Sequence, residues 1–292
     1  MKVYVDPIPK TLSRAMYRVA KALKDYSPPE IEIVSQPINA DIQILHVIGD
    51  RGKRFVFAKK YAIIQYCYLS GKTISEDRWD ALWNDAKFIW SYYDLKSRIS
   101  ENRFLHAPLG IDSIFANAAW WGTRRKIGVI TSGYVNGKGA EAISEVAEAA
   151  YRLGMKIVHL GPTNVKDLYV KKSWNWEAAY DITDVELVEL YEDALWVSGL
   201  RHVEGFELPA LEGLSCGARP ILFDRSEMKT WYSDHGEYVS EEDDEEKLTE
   251  SLVKIMSEKP RQISEEERKE IVEKFDWKKI VGEFWEGVLR EG

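Results

Sequence analysis

Short apolar runs alternate with segments of helical periodicity through the first hundred residues. Met16, Val19, Ala20 and Leu23 recur at helical spacing and predict an amphipathic helix over residues 13–24. The runs that predict strands lie at residues 2–5, 31–34, 42–48, 54–57, 62–66 and 88–92, with a further helix at residues 79–86. Alternation of this kind is typical of a parallel sheet covered by helices.

The alternation stops between residues 116 and 126 and then begins again. The second set has predicted strands at residues 126–131, 156–160, 195–198 and 220–223, and predicted helices at residues 140–153 and 185–191 and near Pro209. Two α/β sheet domains joined near residue 120 account for this pattern. Open α/β sheets bind ligands at the carboxyl ends of their strands, so we expect the functional site in a cleft between the domains.

The composition is that of a soluble globular protein, with 45% hydrophobic and 30% charged residues among 292. No apolar run reaches the length of a membrane span, and the N-terminal run is too short and too polar for a signal peptide. Two cysteines, Cys67 and Cys216, are too few for a disulfide framework. We therefore expect a cytoplasmic protein with both thiols reduced.

The net charge of −8 is unevenly distributed. Residues 1–116 contain 17 Lys and Arg against 13 Asp and Glu, whereas the remaining residues contain 23 against 35. A basic first part in an acidic protein indicates contact with an anionic molecule, such as nucleic acid, a phospholipid surface or a phosphorylated glycan. The alternative is that acidic helices near residues 240–246 and 264–273 simply present solvated faces.

Residues 204–221 carry the most specific motif in the chain. The residues that define it are Glu204, Gly205, Phe206, Pro209, Glu212, Gly217 and Pro220. The segment resembles the signature of the family 4 retaining glycosyltransferases, in which two glutamates separated by seven residues precede a glycine and a proline. Two glutamates at this spacing alone would also fit a capped helix with an exposed glutamate pair. The accompanying glycines and prolines make the resemblance specific.

The residue types in this segment suit a nucleotide-sugar site. Pro209 fits the first turn of a helix, where its missing N–H costs nothing. The backbone N–H groups of residues 206–208 would then point at an anion such as a diphosphate. The resemblance implies that Glu204 accepts hydrogen bonds from the donor sugar and that Glu212 accepts them from the ribose hydroxyls.

Three further segments resemble the same family. Residues 104–115 are similar to the segment that closes its N-terminal domain, and residues 274–277 with the helix to residue 289 resemble its C-terminal helix. Residues 132–139 resemble the loop after the first strand of the donor domain, in which Lys138 would place an ammonium group on the donor phosphates. On its own, Gly-Lys-Gly is more typical of a plain turn before a helix.

The resemblance implies a GT-B fold, in which two Rossmann-like domains face each other across a cleft. Residues 1–117 would form the acceptor-side domain and residues 118–277 the nucleotide-sugar donor-binding domain, with the C-terminal helix at 278–292 crossing back to the first. The implied reaction is hexosyl transfer with retained anomeric configuration and without a metal. A UDP- or GDP-sugar would be the donor substrate, and no tightly bound cofactor is expected.

The resemblance assigns catalytic roles to Glu204 and Lys138. The donor-binding residues that it implies are Ser132, Gly133, Lys138, Glu204, Gly205, Phe206, Glu207, Leu208 and Glu212. No Asp-x-Asp motif and no His/Cys cluster in the sequence suggests a metal site.

Some positions depart from the family pattern. Tyr134 and Val135 stand where the family has an arginine, so one cationic partner of the phosphates is missing unless Arg201 or a basic residue of the first domain replaces it. Glu207 stands where the family usually has glycine, and its side chain would crowd or tune the sugar site. The family's N-terminal histidine is not evident, and His46 is explained by a buried or capping role at least as well as by catalysis.

Several alternatives remain open from the sequence. The chain could be another GT-B enzyme, such as an epimerase or a phosphorylase, or a non-catalytic nucleotide-sugar binder. The basic segment at residues 51–60 could bind DNA that carries a hydroxymethylated base, or it could face an anionic membrane. The acidic overall charge argues against tight, salt-sensitive DNA binding.

Overall fold

Strands and helices alternate along the chain in the computed structural model, which describes residues 1–9, 13–48, 56–68, 76–118, 125–133, 142–161, 174–202 and 205–292. The strands are β1 (Lys2–Val5), β2 (Glu32–Ile33), β3 (Ile42–Val47), β4 (Lys60–Gln65), β5 (Ile89–Ser91), β6 (Phe104–His106), β7 (Ile127–Ser132), β8 (Ile157–Leu160), β9 (Trp176–Ala179), β10 (Ala194–Gly199), β11 (Arg219–Phe223) and β12 (Glu237–Val239). The helices are α1 (Arg14–Asp25), α2 (Glu76–Asp85), α3 (Ser113–Ala116), α4 (Ile143–Arg152), α5 (Asp184–Glu192), α6 (Leu208–Ser215), α7 (Ser226–Tyr232), α8 (Glu245–Ser257), α9 (Glu265–Lys274) and α10 (Trp277–Glu291). None of the helices in these ranges is both long enough and apolar enough to cross a membrane.

The chain divides into two compact units, each built on its own parallel sheet. Unit 1 comprises Met1–Gly110, Val203–Phe206 and Phe275–Gly292, and unit 2 comprises Ile111–His202 and Glu207–Lys274. The domain bounds derived from the sequence, with a boundary between residues 117 and 118, stay a prediction.

Unit 1 contains a six-stranded sheet in the order β2-β1-β3-β4-β5-β6, in which all neighbouring strands are parallel. The C-terminal helix α10 packs against α1 and β6 of this unit. The Trp285 indole donates a hydrogen bond to the Leu23 carbonyl at 3.1 Å, which ties α10 to the end of α1. The return of the C-terminal helix to the N-terminal domain is therefore confirmed.

Unit 2 contains the second six-stranded parallel sheet, in the order β12-β11-β10-β7-β8-β9. Counted from β7, this is the 6-5-4-1-2-3 order of a Rossmann fold. The direction of strand addition reverses between β7 and β10, where Val197 lies opposite Ile130. The carboxyl ends of the two strands at such a switch point border the ligand-binding crevice.

The central strands of unit 2 are buried on both faces. Val129, Ile130 and Val197 are fully buried, as expected for apolar strands in a helix-covered parallel sheet. α6 packs directly on β10 and β11. Gly213 permits this close packing, because a Cβ at that position would lie 2.7 Å from Cγ1 of Val197. The start of α6 is thereby fixed relative to the strand ends.

The first helix forms as the sequence predicts. The Ser13 hydroxyl accepts a hydrogen bond from the Met16 N–H at 3.3 Å and so caps α1, which satisfies a donor that has no partner within the helix. The predicted apolar face is buried. Burial of this face holds α1 on the sheet.

The strand predicted at residues 54–57 is wrong where the structure describes it. Residues 54 and 55 lie outside the described ranges, and Val56 and Phe57 are not in a strand. The Phe57 N–H donates to the Gln43 side-chain oxygen at 2.9 Å, and the Phe57 side chain is 61% exposed. The apolar Phe57 side chain faces solvent and does not mark a buried strand.

Candidate active site

The carboxyl ends of β7 and β10 lie side by side at the switch point of unit 2. β7 ends at Ser132, and Gly133 follows with a φ of 138°, which favours glycine. β10 ends at Gly199, where a Cβ would lie 2.7 Å from Leu222 and 3.0 Å from Glu207. Glycines at both strand ends therefore allow close approach of the surrounding groups.

Arg201 connects the two strand ends. Its guanidinium donates to the Ser132 carbonyl at 3.1 Å and to the Ser132 hydroxyl at 2.9 Å. It also forms an ion pair with Glu207, with 3.6 Å between Nη1 and Oε2. These contacts fix a positive charge at the switch point. The Arg201 side chain is 14% exposed, so part of the side chain is accessible to solvent.

Glu207, the residue before α6, is completely buried. Its side chain packs against Gly199, and its backbone carbonyl accepts a hydrogen bond from the Tyr232 hydroxyl. A buried carboxylate is costly unless an opposite charge accompanies it, and Arg201 supplies that charge. The effect of Glu207 on sugar binding stays a prediction.

α6 begins at Leu208 and has Pro209 in its first turn, as predicted. The first N–H groups of a helix have no intrahelical partners and favour an anion nearby. Leu208 and Glu212 are each 4% exposed and lie on successive turns of α6. Their contacts with a nucleotide stay predictions.

His159 is a buried neutral histidine on β8, next to β7. Its Nδ1 lies 2.9 Å from the Thr131 hydroxyl, and its ring stacks on Trp176. Among the described residues Nε2 has no hydrogen-bond partner, and it lies 2.6 Å from the position of a Cβ on Gly161. Burial, assisted by the charge of Arg201, lowers the pKa of His159 to about 4, so the ring is uncharged at pH 7.

Gly205 and Phe206 of the signature segment are packed among aromatic side chains of unit 1. A Cβ on Gly205 would lie 2.5 Å from the Tyr93 ring, so a larger residue at position 205 would displace the ring. The buried Phe206 ring lies 5.8 Å from the Tyr92 centroid and 6.0 Å from that of Phe275. Packing accounts for these two residue types, and their donor contacts stay predictions.

Glu204 and Lys138, which carry the predicted catalytic roles, lie outside the described residues, as do Tyr134 and Val135. On unit 2 the structure describes five predicted donor-site residues: Ser132, Gly133, Glu207, Leu208 and Glu212. Contacts through Arg201 join the end of β7 to the start of α6.

Asp6 and His46 lie at the carboxyl edge of the unit 1 sheet. Asp6 directly follows β1 and accepts a hydrogen bond from Gln43 at 2.7 Å; burial raises the pKa of Asp6 to about 6. His46 on β3 has Nδ1 2.7 Å from the Tyr66 hydroxyl and stacks on that ring. Burial lowers the pKa of His46 to about 3, so this histidine is neutral at pH 7.

The sequence analysis missed His159 and Asp6. A polar residue within the apolar run at residues 156–160 was the available signal for His159. Asp6 could have been found as the first polar residue after a predicted strand, the usual place for functional groups in parallel sheets.

In the ranges that the structure describes, no group of three or more His, Cys, Asp or Glu side chains is placed to hold a metal ion. The metal-free reaction stays a prediction.

Comparison with solved structures finds this fold in several glycosyltransferases. Sucrose-phosphate synthase from Thermosynechococcus elongatus has a TM-score of 0.70 at 11% identity, with 100% of this chain and 99% of that chain covered. HepE from Anabaena in complex with UDP and glucose has a TM-score of 0.65 at 10% identity, with 99% of each chain covered. AviGT4, a glycosyltransferase involved in avilamycin A biosynthesis, has a TM-score of 0.63 at 13% identity, with coverage of 99% and 97%. No family model and no curated protein sequence matches the chain.

Structural similarity at sequence identities of 10% to 13% establishes the fold of the chain. Each unit carries a six-stranded parallel sheet, as in a Rossmann-like domain, and the whole chain aligns with the solved enzymes. The predicted fold class is therefore confirmed, and the chain has the GT-B fold of these glycosyltransferases.

Proposed function

We propose that the chain is a retaining glycosyltransferase that moves a hexose from a nucleotide-diphosphate sugar to a hydroxyl acceptor without a metal. The observation that carries the proposal is the switch point of unit 2, where Gly133, Arg201 and the start of α6 lie at the ends of β7 and β10. Rossmann sheets bind nucleotides at this place. α6 contains Pro209 and Glu212 of the signature segment, and the shared fold adds support.

The donor in this proposal binds to the domain formed by residues 118–277. HepE was solved with UDP and glucose, which makes a UDP-sugar the first candidate and a GDP-sugar the second. Glu204 would accept hydrogen bonds from the sugar hydroxyls, and Glu212 from the ribose.

The chemistry requires stabilisation of a leaving diphosphate while the sugar becomes oxocarbenium-like. Lys138 and the N-terminus of α6 would supply preorganised positive charge and N–H donors where the negative charge grows. The departing phosphate would help to deprotonate the acceptor hydroxyl on the same face of the sugar. This route retains the anomeric configuration.

The acceptor would meet unit 1 through the basic segment at residues 51–60. Lys59 and Lys60, at its described end, are exposed. Positive charge here suits an anionic glycan, lipid or nucleic acid. A hydroxymethylated base in DNA is the alternative acceptor, and a steep fall of DNA binding with salt would identify it.

Proton NMR of candidate nucleotide sugars tests the proposed reaction. UDP-glucose, UDP-N-acetylglucosamine and GDP-mannose are each incubated with the protein, first alone and then with glycan and lipid acceptors. We expect release of the nucleoside diphosphate, and a product whose anomeric signal has the configuration of the donor. Conversion of the sugar without nucleotide release would identify an epimerase, and binding without turnover would identify a non-catalytic binder.

A further inference from the structure

We propose that Arg201 binds the diphosphate of the donor. It would replace the arginine that the resembled family has at the positions of Tyr134 and Val135. The inference rests on the proposed function, because it assigns a cation to the same donor site. Tyr134 and Val135 lie outside the described residues, so the argument depends on Arg201 and its described neighbours alone.

Arg201 is at the right place for this role. It follows β10 by two residues, and its two hydrogen bonds reach the last residue of β7, so the guanidinium spans the switch point. Its ion pair with Glu207 brings it to the residue that precedes α6. The strand ends and the helix N-terminus are the elements that hold phosphates in Rossmann folds.

The surroundings of Arg201 hold the guanidinium in one orientation. Ser132 supplies two acceptors, and the buried Glu207 carboxylate supplies the counter-charge on the protein side. A side chain that is already ordered loses less conformational freedom when a ligand binds. Glu207 is therefore a positioning residue that acts through Arg201.

The chemistry of arginine selects the ligand class. A guanidinium is always charged, and its planar fork can donate two parallel hydrogen bonds to phosphate oxygens. The 14% exposure of the Arg201 side chain leaves part of it accessible, whereas Glu207 is completely buried. An anion that arrives from solvent therefore meets the cation and not the carboxylate. A nucleoside diphosphate should gain more from this charge than the corresponding monophosphate.

Variants in which glutamine replaces the charged side chains separate the role of Arg201 in diphosphate binding from its contribution to folding. Arg201→Gln alone would leave the Glu207 carboxylate buried without its cation, so the test uses the double variant Arg201→Gln/Glu207→Gln together with Glu207→Gln. The matched control is Arg219→Gln/Glu237→Gln. Arg219 is also a buried arginine paired with a carboxylate, at 3.4 Å, but it begins β11 and so lies at the opposite edge of the sheet.

Isothermal titration with UDP, GDP and ADP and with their monophosphates measures the effect. We expect the double variant at Arg201 to weaken binding of the preferred diphosphate about 10- to 100-fold, which is the range for charge-assisted hydrogen bonds. Binding of the monophosphate should change less. Glu207→Gln keeps Arg201 but removes its counter-charge, so it should weaken diphosphate binding less than the double variant does. The control double variant should bind the diphosphate within about threefold of the unaltered chain.

Diphosphate binding that is unchanged in the Arg201 double variant would overturn the inference but leave the proposed function standing. An equal loss in Glu207→Gln would also overturn it, because Arg201 is still present there. If the unaltered chain binds none of the three diphosphates, both the inference and the proposed function fail.

Discussion

His159 occupies a buried position on β8 where protonation is opposed by lost hydration and by the charge of Arg201. As the pH falls, His159 therefore becomes protonated only at about pH 4 in the folded chain, whereas it becomes protonated at about pH 6.5 in the unfolded chain. A group whose pKa falls on folding contributes stability above the unfolded value and loses it as the pH drops. Neutral His159 thus favours the folded chain at pH 7.

We expect His159→Gln to flatten the pH dependence of stability. The unaltered chain should lose about 2 to 3 kcal/mol more than the variant between pH 7 and pH 4.5, as urea denaturation would measure. The comparison with the variant removes contributions from His46 and His235, whose pKa values are also lowered. The same loss in both proteins would contradict the assigned environment.

Folding raises the pKa of Asp6, so its contribution to stability changes with pH in the opposite direction to that of His159. Its carboxyl holds a proton up to about pH 6 when folded and to about pH 4 when unfolded, so its contribution is present below pH 4 and is lost as the pH rises to 6. Asp6→Asn cannot ionise and keeps an oxygen for Gln43. With allowance for partial exposure, we expect the variant to be about 1 kcal/mol more stable at pH 7 and equal at pH 3.5. A less stable variant at pH 7 would show that the charged form is favoured.

At the residue scale, the sequence identified candidate site residues but not the side chains that surround them. Glu207 and Arg201 were both identified, but their ion pair joins residues from different elements. Gly205 was assigned to the donor site, and the structure adds its contact with Tyr93, which is distant in sequence. Contacts of this kind depend on tertiary packing, which a local motif does not contain.

At the scale of single elements, α10 contains two glycines in different environments. A Cβ on Gly287 would lie 2.1 Å from the Phe88 ring, whereas among the described residues nothing lies within 4 Å of a Cβ on Gly282. We expect Gly287→Ala to lower the free energy of unfolding by about 1 to 3 kcal/mol, because the ring must move. Gly282→Ala should raise it by about 0.5 to 1 kcal/mol through helix propensity.

Urea denaturation of these two variants checks the packing of α10 on unit 1. Each substitution adds the same methyl group to the same helix, so helix propensity affects both alike. Similar shifts of the midpoint in the two variants would mean that Gly287 does not face Phe88.

The sequence predicted most central strands and the signature helix, but not the edge strands β9 and β12. The central strands are continuous apolar runs because helices cover both faces of the sheet. β9 and β12 form the two edges of the unit 2 sheet and contain half-buried residues, so their apolar signal is weak. The strand order was also beyond a single sequence, because strand pairing is non-local.

At the scale of the whole molecule, we propose that turnover depends on Glu204 and Lys138, which only the resemblance identifies. We expect Glu204→Ala and Lys138→Ala each to lower sugar transfer about tenfold or more, because each removes a preorganised contact with the transition state. The fold should be unaffected, which the unfolding midpoint of each variant would show. Near-normal transfer by either variant would remove its catalytic assignment.

Binding of a nucleotide sugar as donor is the central claim, and thermal unfolding with UDP, GDP, ADP and CMP, followed by their sugar conjugates, tests it most directly. A ligand at about a hundred times its dissociation constant adds about 2.7 kcal/mol and raises the unfolding midpoint by several degrees. We expect one nucleotide to raise the midpoint and its sugar conjugate to raise it further. An unchanged midpoint with every nucleotide and conjugate would contradict the account.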